Sequence, residues 1–341
     1  FEAEGGHAEG GAVGTDGLSG LTIDTTGYDP DVDIQAGAAG GSRIWTDGRT
    51  ARVYDEGGTC VGTLRHDRAA WLRERFESAA GRPEVLTEFG LVNFEEEVVR
   101  LLRRYRTGVT DSAKTVDMQM HWATPPALLS ALTRKFRTRT ERFASPLNCA
   151  MGLARYCTAH KRDILFGAMY DAYGTRWRGS NYMNPEYDGV QLYRALRYAI
   201  SATYVDGPAL TVAVFPRWFG YRYMNLLAHP RVSILAKYQE GTFRFLPPDY
   251  AKVPGRQAGS AKWPVVVLVI ANEDGLREYC EGGLEEIREA GVQVGADCVW
   301  LEEPGTIRTE LEQAEGEFVE FTRPQSGWEQ APWDDLAEWE V

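Results

Sequence analysis

Pro264-Val265-Val266-Val267-Leu268-Val269-Ile270-Ala271 is the stretch on which the fold turns. It holds no charge and is mostly β-branched. Stiff, branched side chains pack well on a pleated surface, so the run favours a strand over a helix. It does not alternate with polar residues, and such a strand is buried on both faces. Leu210-Thr211-Val212-Ala213-Val214-Phe215-Pro216 reads the same way. Between and before such strands lie helical stripes. Val190–Tyr204 carries apolar residues at 192, 195, 196, 199 and 200, a 3.6-residue period.

Further strands are expected at Arg142–Ala144, Asp163–Gly167, Asn181–Met183 and Val232–Tyr238. A helix carrying Met151, Leu153, Ala154, Tyr156 and Cys157 is expected between the first two. Strands alternating with helices indicate an α/β, doubly wound sheet over residues 118–275. In such a sheet ligands bind beyond the carboxyl ends of the strands. The segments Ser145–Asn148, Gly167, Asn184–Tyr187 and Pro216–Phe219 should therefore converge on one crevice.

Upstream, residues 42–117 read as a smaller domain. Residues 43–64 alternate around Asp47-Gly48 and Gly57-Gly58, as short hairpin strands do. They hold a single tryptophan, Trp45, so a WW-like peptide module is rejected. Asp67 is read as the N-cap of a helix over Arg68–Ala79, stopped by Gly81 and Pro83. A second helix spans Asn93 to Arg104, with Glu95, Glu96 and Glu97 in its first turn. Arg100, Arg103, Arg104 and Arg106 close it, as the macrodipole prefers. These arginines read equally as a solvated helix end or as a phosphate contact. A third helix follows His121-Trp122-Ala123-Thr124-Pro125-Pro126, with Thr124 as its cap and Leu128, Leu129, Leu132 and Phe136 on one face.

The chain has 341 residues, 43% hydrophobic, with a net charge of −12. That charge argues against wrapping long nucleic acid, though not against a local basic channel. No apolar run is long enough for a membrane span. Five widely spaced cysteines form no ligand pattern, so free thiols and no metal are expected. No Gly-rich dinucleotide or P-loop fingerprint occurs, and no nucleophile elbow. Residues 1–41 read as a disordered acidic lead. Residues 276–341 read as an acidic extension, whose Trp300, Trp328, Trp333 and Trp339 suit a protein partner or a strap on the domain's own surface.

One turn concentrates chemistry. In Asn184-Pro185-Glu186-Tyr187 an amide oxygen and a proline-held carbonyl supply two acceptors, and an aromatic ring follows two residues later. Two acceptors and a stacking face suit the exocyclic amine of adenine. They leave its nitrogen lone pair free to attack an electrophilic methyl group.

With Phe143-Ala144-Ser145-Pro146-Leu147-Asn148-Cys149, Tyr156-Cys157, Phe166-Gly167, Asn184-Pro185-x-Tyr187 and Phe215-Pro216-x-Trp218, residues 118–272 resemble a known family. It is that of the cap-specific adenosine N6-methyltransferases, the phosphorylated-CTD-interacting factor family. The resemblance implies a Rossmann-like domain using S-adenosylmethionine, preceded by a helical domain that helps hold the cap. The substrate implied is the adenosine next to the m7G cap at the 5′ end of an mRNA, and the location nuclear or nucleocytoplasmic. It implies a donor site at Ser145, Pro146, Leu147 and Asn148, with Asp163 and Asn184. It implies catalytic Asn184, Pro185, Glu186 and Tyr187, and substrate contacts at Tyr187, Arg217, Trp218 and Phe219. Arg100, Arg103 and Arg104 are the cap candidates, and His121 and Trp122 either flank the donor or lie in the core.

Two departures stand out. Glu186 replaces the family's second proline, and Gly189 stands where the family has an acidic residue. With no WW module, binding to a phosphorylated polymerase tail is not expected. A DNA adenine methyltransferase and an inactive, RNA-binding scaffold are the alternatives.

Overall fold

A computed structural model describes residues 41–106, 122–246, 260–280 and 298–299. The acidic lead, His121 and the tail tryptophans lie outside the described residues.

Glycines at the Asp47-Gly48 and Gly57-Gly58 turns fold β1 (Arg43–Thr46), β2 (Thr50–Tyr54) and β3 (Cys60–Arg65) into an antiparallel sheet. Gly48 and Gly58 take φ of 83° and 76°, which a side chain resists. Three helices follow: α1 (His66–Ala80), α2 (Pro83–Phe89) and α3 (Phe94–Arg106). Asp67 lies inside the first turn of α1 rather than at its cap, which is Arg65. Pro83 starts α2 instead of ending the region, because the first helical turn tolerates a missing N–H. The apolar sides of these elements share one core with Leu147, Leu165 and Phe166 of the segment that follows.

That segment is built on an eight-stranded mixed sheet. It comprises β4 (Thr140–Glu141), β5 (Arg155–Thr158), β6 (Met169–Tyr170), β7 (Gly179–Met183), β8 (Ala209–Pro216), β9 (Val232–Tyr238), β10 (Val265–Ala271) and β11 (Cys298–Val299). The order is β11-β9-β10-β8-β7-β4-β5-β6. Strands β6-β5-β4-β7-β8 are parallel, while β10 runs antiparallel to both β8 and β9. The five parallel strands follow the 3-2-1-4-5 order of a doubly wound sheet, with its switch point between β4 and β7. Every residue of β8 and β10 is buried. Ala213, Phe215, Val266, Leu268 and Ile270 face α5 (Gly189–Ala202), and Val212, Val214, Val265 and Val267 face α4 (Pro126–Lys135). A further helix, α6 (Glu273–Tyr279), packs so closely that an added Cβ on Gly275 would stand 2.2 Å from the Ala209 carbonyl oxygen.

Several expectations need correction. The strand expected at Arg142–Ala144 lies two residues earlier, at β4. The helix expected between the first two strands is a chain of turns over 145–154, and Tyr156 and Cys157 belong to β5. Asp163–Gly167 is no strand: Lys161–Phe166 is a 3-10 helix capped by Gly167 at φ 78°. Thr124 does not cap α4. Its hydroxyl is bonded to the Tyr182 hydroxyl, and Pro125 stands at the cap.

Candidate active site

A cavity of about 500 Å³ opens at the switch point, a size typical of small-molecule sites. The carboxyl ends of four strands supply its wall: Arg142–Ser145 after β4, Cys157–His160 at β5, Tyr170–Tyr173 at β6 and Asn184–Glu186 after β7. Asn148 joins from the turn, Arg104 and Tyr105 from α3, and Gln191 and Arg194 from α5. Gly167 and Pro216–Phe219, expected in the same crevice, do not line it.

The turn after β4 is closed by its own side chains. Asn148 Oδ1 accepts from the Ser145 amide at 2.6 Å and from Ser145 Oγ at 3.0 Å. Ser145 and Asn148 face the cavity, while Pro146 is buried behind it and Leu147 joins the N-terminal core. Sequence reasoning missed what holds this turn. Arg68, a buried residue of α1, donates to the Pro146 carbonyl at 3.3 Å and to the Cys149 carbonyl at 2.9 Å. Arg68 is 78 residues from Pro146, and no local pattern announces it.

The turn after β7 carries the most informative atom. Asn184 Nδ2 donates to the Trp122 carbonyl at 3.1 Å, which fixes the amide's orientation. Asn184 Oδ1 is thereby left buried with no protein donor. Pro185 is buried, and Glu186 is exposed at the cavity wall. Tyr187 lies outside the cavity. Its ring meets Trp218, Phe245 and Trp263 edge to face at 6.0, 5.7 and 6.2 Å. Asp188, next to the missing acid, caps α5 by accepting from the Val190 and Gln191 amides.

Asp163 is fully buried and does not line the cavity. Its carboxylate is engaged by Arg104, by the Tyr105 hydroxyl at 2.5 Å and by the Thr158 hydroxyl at 2.6 Å. It fastens α3 to β5. Besides Glu186, the carboxylate that lines the cavity is Asp171, beyond β6, which sequence reasoning missed. Asp171 sits at φ 59°, an uncommon conformation that aspartate tolerates better than most. Gly174 leaves room for it: an added Cβ there would come within 3.1 Å of Asp171 Oδ2. Opposite in charge, Arg194 stands 4.1 Å over the Tyr173 ring with its Nε buried and unpartnered. Burial holds His160, beside Tyr105, below its ordinary value and so favours the neutral ring.

Arg100, Arg103 and Arg104 do come together, with Arg162, around an open cleft of about 540 Å³. Each is ion-paired: Arg100 with Glu96 and Glu97, Arg103 with Asp55 at 2.6 Å, Arg104 with Asp163 and Arg162 with Glu97 at 2.6 Å. Only Arg104 also reaches the main cavity. Among the described residues no group of His, Cys, Asp or Glu is placed to hold a metal ion, and no helix is long and apolar enough to cross a membrane.

Residues 86–229 match the family described as phosphorylated CTD interacting factor 1 WW domain. The match starts beyond the three-stranded sheet and covers the turns after β4 and β7. No curated protein matches the chain.

Proposed function

Because residues 86–229 match the family described as phosphorylated CTD interacting factor 1 WW domain, we propose that this protein is an S-adenosylmethionine-dependent adenosine N6-methyltransferase acting on RNA. Its target is the adenosine beside the 5′ cap. The observation that carries the reading is the orphaned Asn184 Oδ1 at the switch-point cavity. A buried acceptor without a donor costs about 1–3 kcal/mol, a cost that a ligand donor reaching it would remove. An exocyclic amine supplies one. The Rossmann-like order of the parallel strands supports the same reading.

The cavity fits the methyl donor in volume and in charge. Asp171 and Arg194 offer unlike charges for a zwitterion, and Ser145 and Asn148 offer polar contacts at the closed turn. When bound, S-adenosylmethionine supplies an electrophilic methyl group. Asn184 Oδ1 would accept a hydrogen bond from the amine, which leaves the nitrogen lone pair directed toward the cavity. The buried Pro185 keeps the turn rigid. Tyr187 and Trp218 pack edge to face outside the cavity and support the turn that carries Asn184.

A second reading, an inactive RNA-binding scaffold, draws on Glu186, whose exposed side chain lines the cavity where the family has proline. A protein partner and a nuclear site of action are proposed on the family's printed name alone.

The test is methyl transfer from labelled donor to capped RNA beginning with adenosine, to the same RNA uncapped, and to adenine-containing DNA. Transfer to the capped RNA alone is expected. Transfer to DNA alone overturns the substrate assignment. Donor binding without transfer to any of the three points to the scaffold.

A further inference from the structure

An aromatic path leads from the Asn184 turn to solvent. Tyr187 meets Trp218 at 6.0 Å, and Trp218 meets Tyr221 at 5.3 Å with a 46° tilt. Tyr221 and its neighbour Phe219 are among the few large exposed apolar residues described. Two cations flank them. Arg217 lies 4.6 Å over the Phe219 ring, and Arg222 lies 4.6 Å over Tyr193.

The Tyr221 ring is held in place from below. It packs on Gly189, the first residue of α5, where an added Cβ would stand 2.7 Å from its Cδ1 and 2.9 Å from its Cε1. Gly189 is the position at which the chain departs from the family's acidic residue. A side chain there, acidic or not, would displace the ring. At this first helical position glycine leaves the space that the ring occupies.

Resting on the function proposed above, we infer that Tyr221, with Arg217 and Arg222 beside it, is a stacking step for the RNA base that follows the methylated adenosine in the 3′ direction. An exposed ring anchored on one side and flanked by arginines is the pattern of single-strand binding surfaces. The rings face a neutral base better than the cationic cap guanine, because Arg217 and Arg222 already place positive charge on the neighbouring rings and suit the intervening phosphates. The path is continuous with the turn that grips the target, so one strand spans both.

Stacking on one ring is worth about tenfold in affinity. The measurement is KM for capped RNAs of one and of four nucleotides sharing the same first adenosine. For the unaltered protein the longer RNA should have about a tenfold lower KM. Tyr221→Ala should bring the ratio close to one with an unchanged melting temperature, and Tyr221→Trp should keep it. Gly189→Ala, which favours the helix but displaces the ring, should also lower the ratio. An unaltered ratio in Tyr221→Ala, or a ratio near one in the unaltered protein, overturns the inference. If no RNA is methylated, the proposed function fails by itself. Fluorescence anisotropy of a labelled tetranucleotide then decides: binding weakened by Tyr221→Ala supports the stacking step, while equal or absent binding overturns it.

Discussion

The Asn184 side chain donates its Nδ2 to the Trp122 carbonyl oxygen at 3.1 Å, and this contact commits the other end of the amide. Oδ1 has no freedom to rotate toward a different partner without breaking it. Asn184→Ala removes the acceptor and one neutral hydrogen bond, so stability should fall by only about 1 kcal/mol. Methyl transfer should fall about a hundredfold or more, the scale seen when a preorganised polar group is deleted. Donor affinity, measured by calorimetry, should be kept. Equal loss of donor binding and transfer would place Asn184 in the donor site instead.

Arg68 acts from α1 on the turn after β4. Its guanidinium joins the Pro146 and Cys149 carbonyls, and burial pushes the neighbouring Cys149 thiol up to about 12. Arg68→Met keeps the length of the side chain but leaves the carbonyls without their donor, at a cost of about 2–3 kcal/mol. Donor binding should weaken along with the melting temperature. Arg68→Lys should recover only part of either, since a single ammonium cannot span both carbonyls. Full recovery by lysine would mean that charge alone is needed there.

What could be read from the sequence follows from how burial is distributed. β9, β10, β8 and α5 lie deep in the sheet or across it, so each carries a long apolar run or a full stripe, and each was placed within a residue or two. β4 and β6 pair over two residues each and leave no pattern. Ile164-Leu165-Phe166 is too short an apolar run to separate strand from helix, and a 3-10 helix won because Gly167 ends it in the left-handed region. At the site, Asn184 was legible because a proline fixes its neighbour. Asp171, Arg68 and Arg194 were not, because their roles depend on contacts made across the fold.

Asp163 is a fastening rather than a ligand. Three donors, Arg104, Tyr105 and Thr158, meet its buried carboxylate. Asp163→Ala removes the buried carboxylate that Arg104, Tyr105 and Thr158 engage and should destabilise the protein by about 3–5 kcal/mol. Asp163→Asn should cost less, since the amide still accepts from the Tyr105 or Thr158 hydroxyl. Chemical denaturation of the two variants checks the order. A loss of donor affinity in Asp163→Asn with unchanged stability would restore Asp163 to the donor site.

Glu141 sets a pH dependence of opposite sign to the usual carboxylate. It is buried in β4 behind the closed turn, and its Oε2 accepts from the Ala150 amide at 2.7 Å. Burial raises its pKa from 4.5 to about 7, against the lowering by that amide and by Arg68. The folded state therefore holds a proton that the unfolded chain has released. The stability it contributes is present below about pH 4.5 and is lost as pH rises toward 7, on the order of 3 kcal/mol in all. Glu141→Gln keeps an acceptor for Ala150 and removes the titration. Its melting temperature should exceed that of the unaltered protein at pH 8, and the advantage should vanish near pH 4. A constant difference across that range would show that folding does not raise the Glu141 pKa.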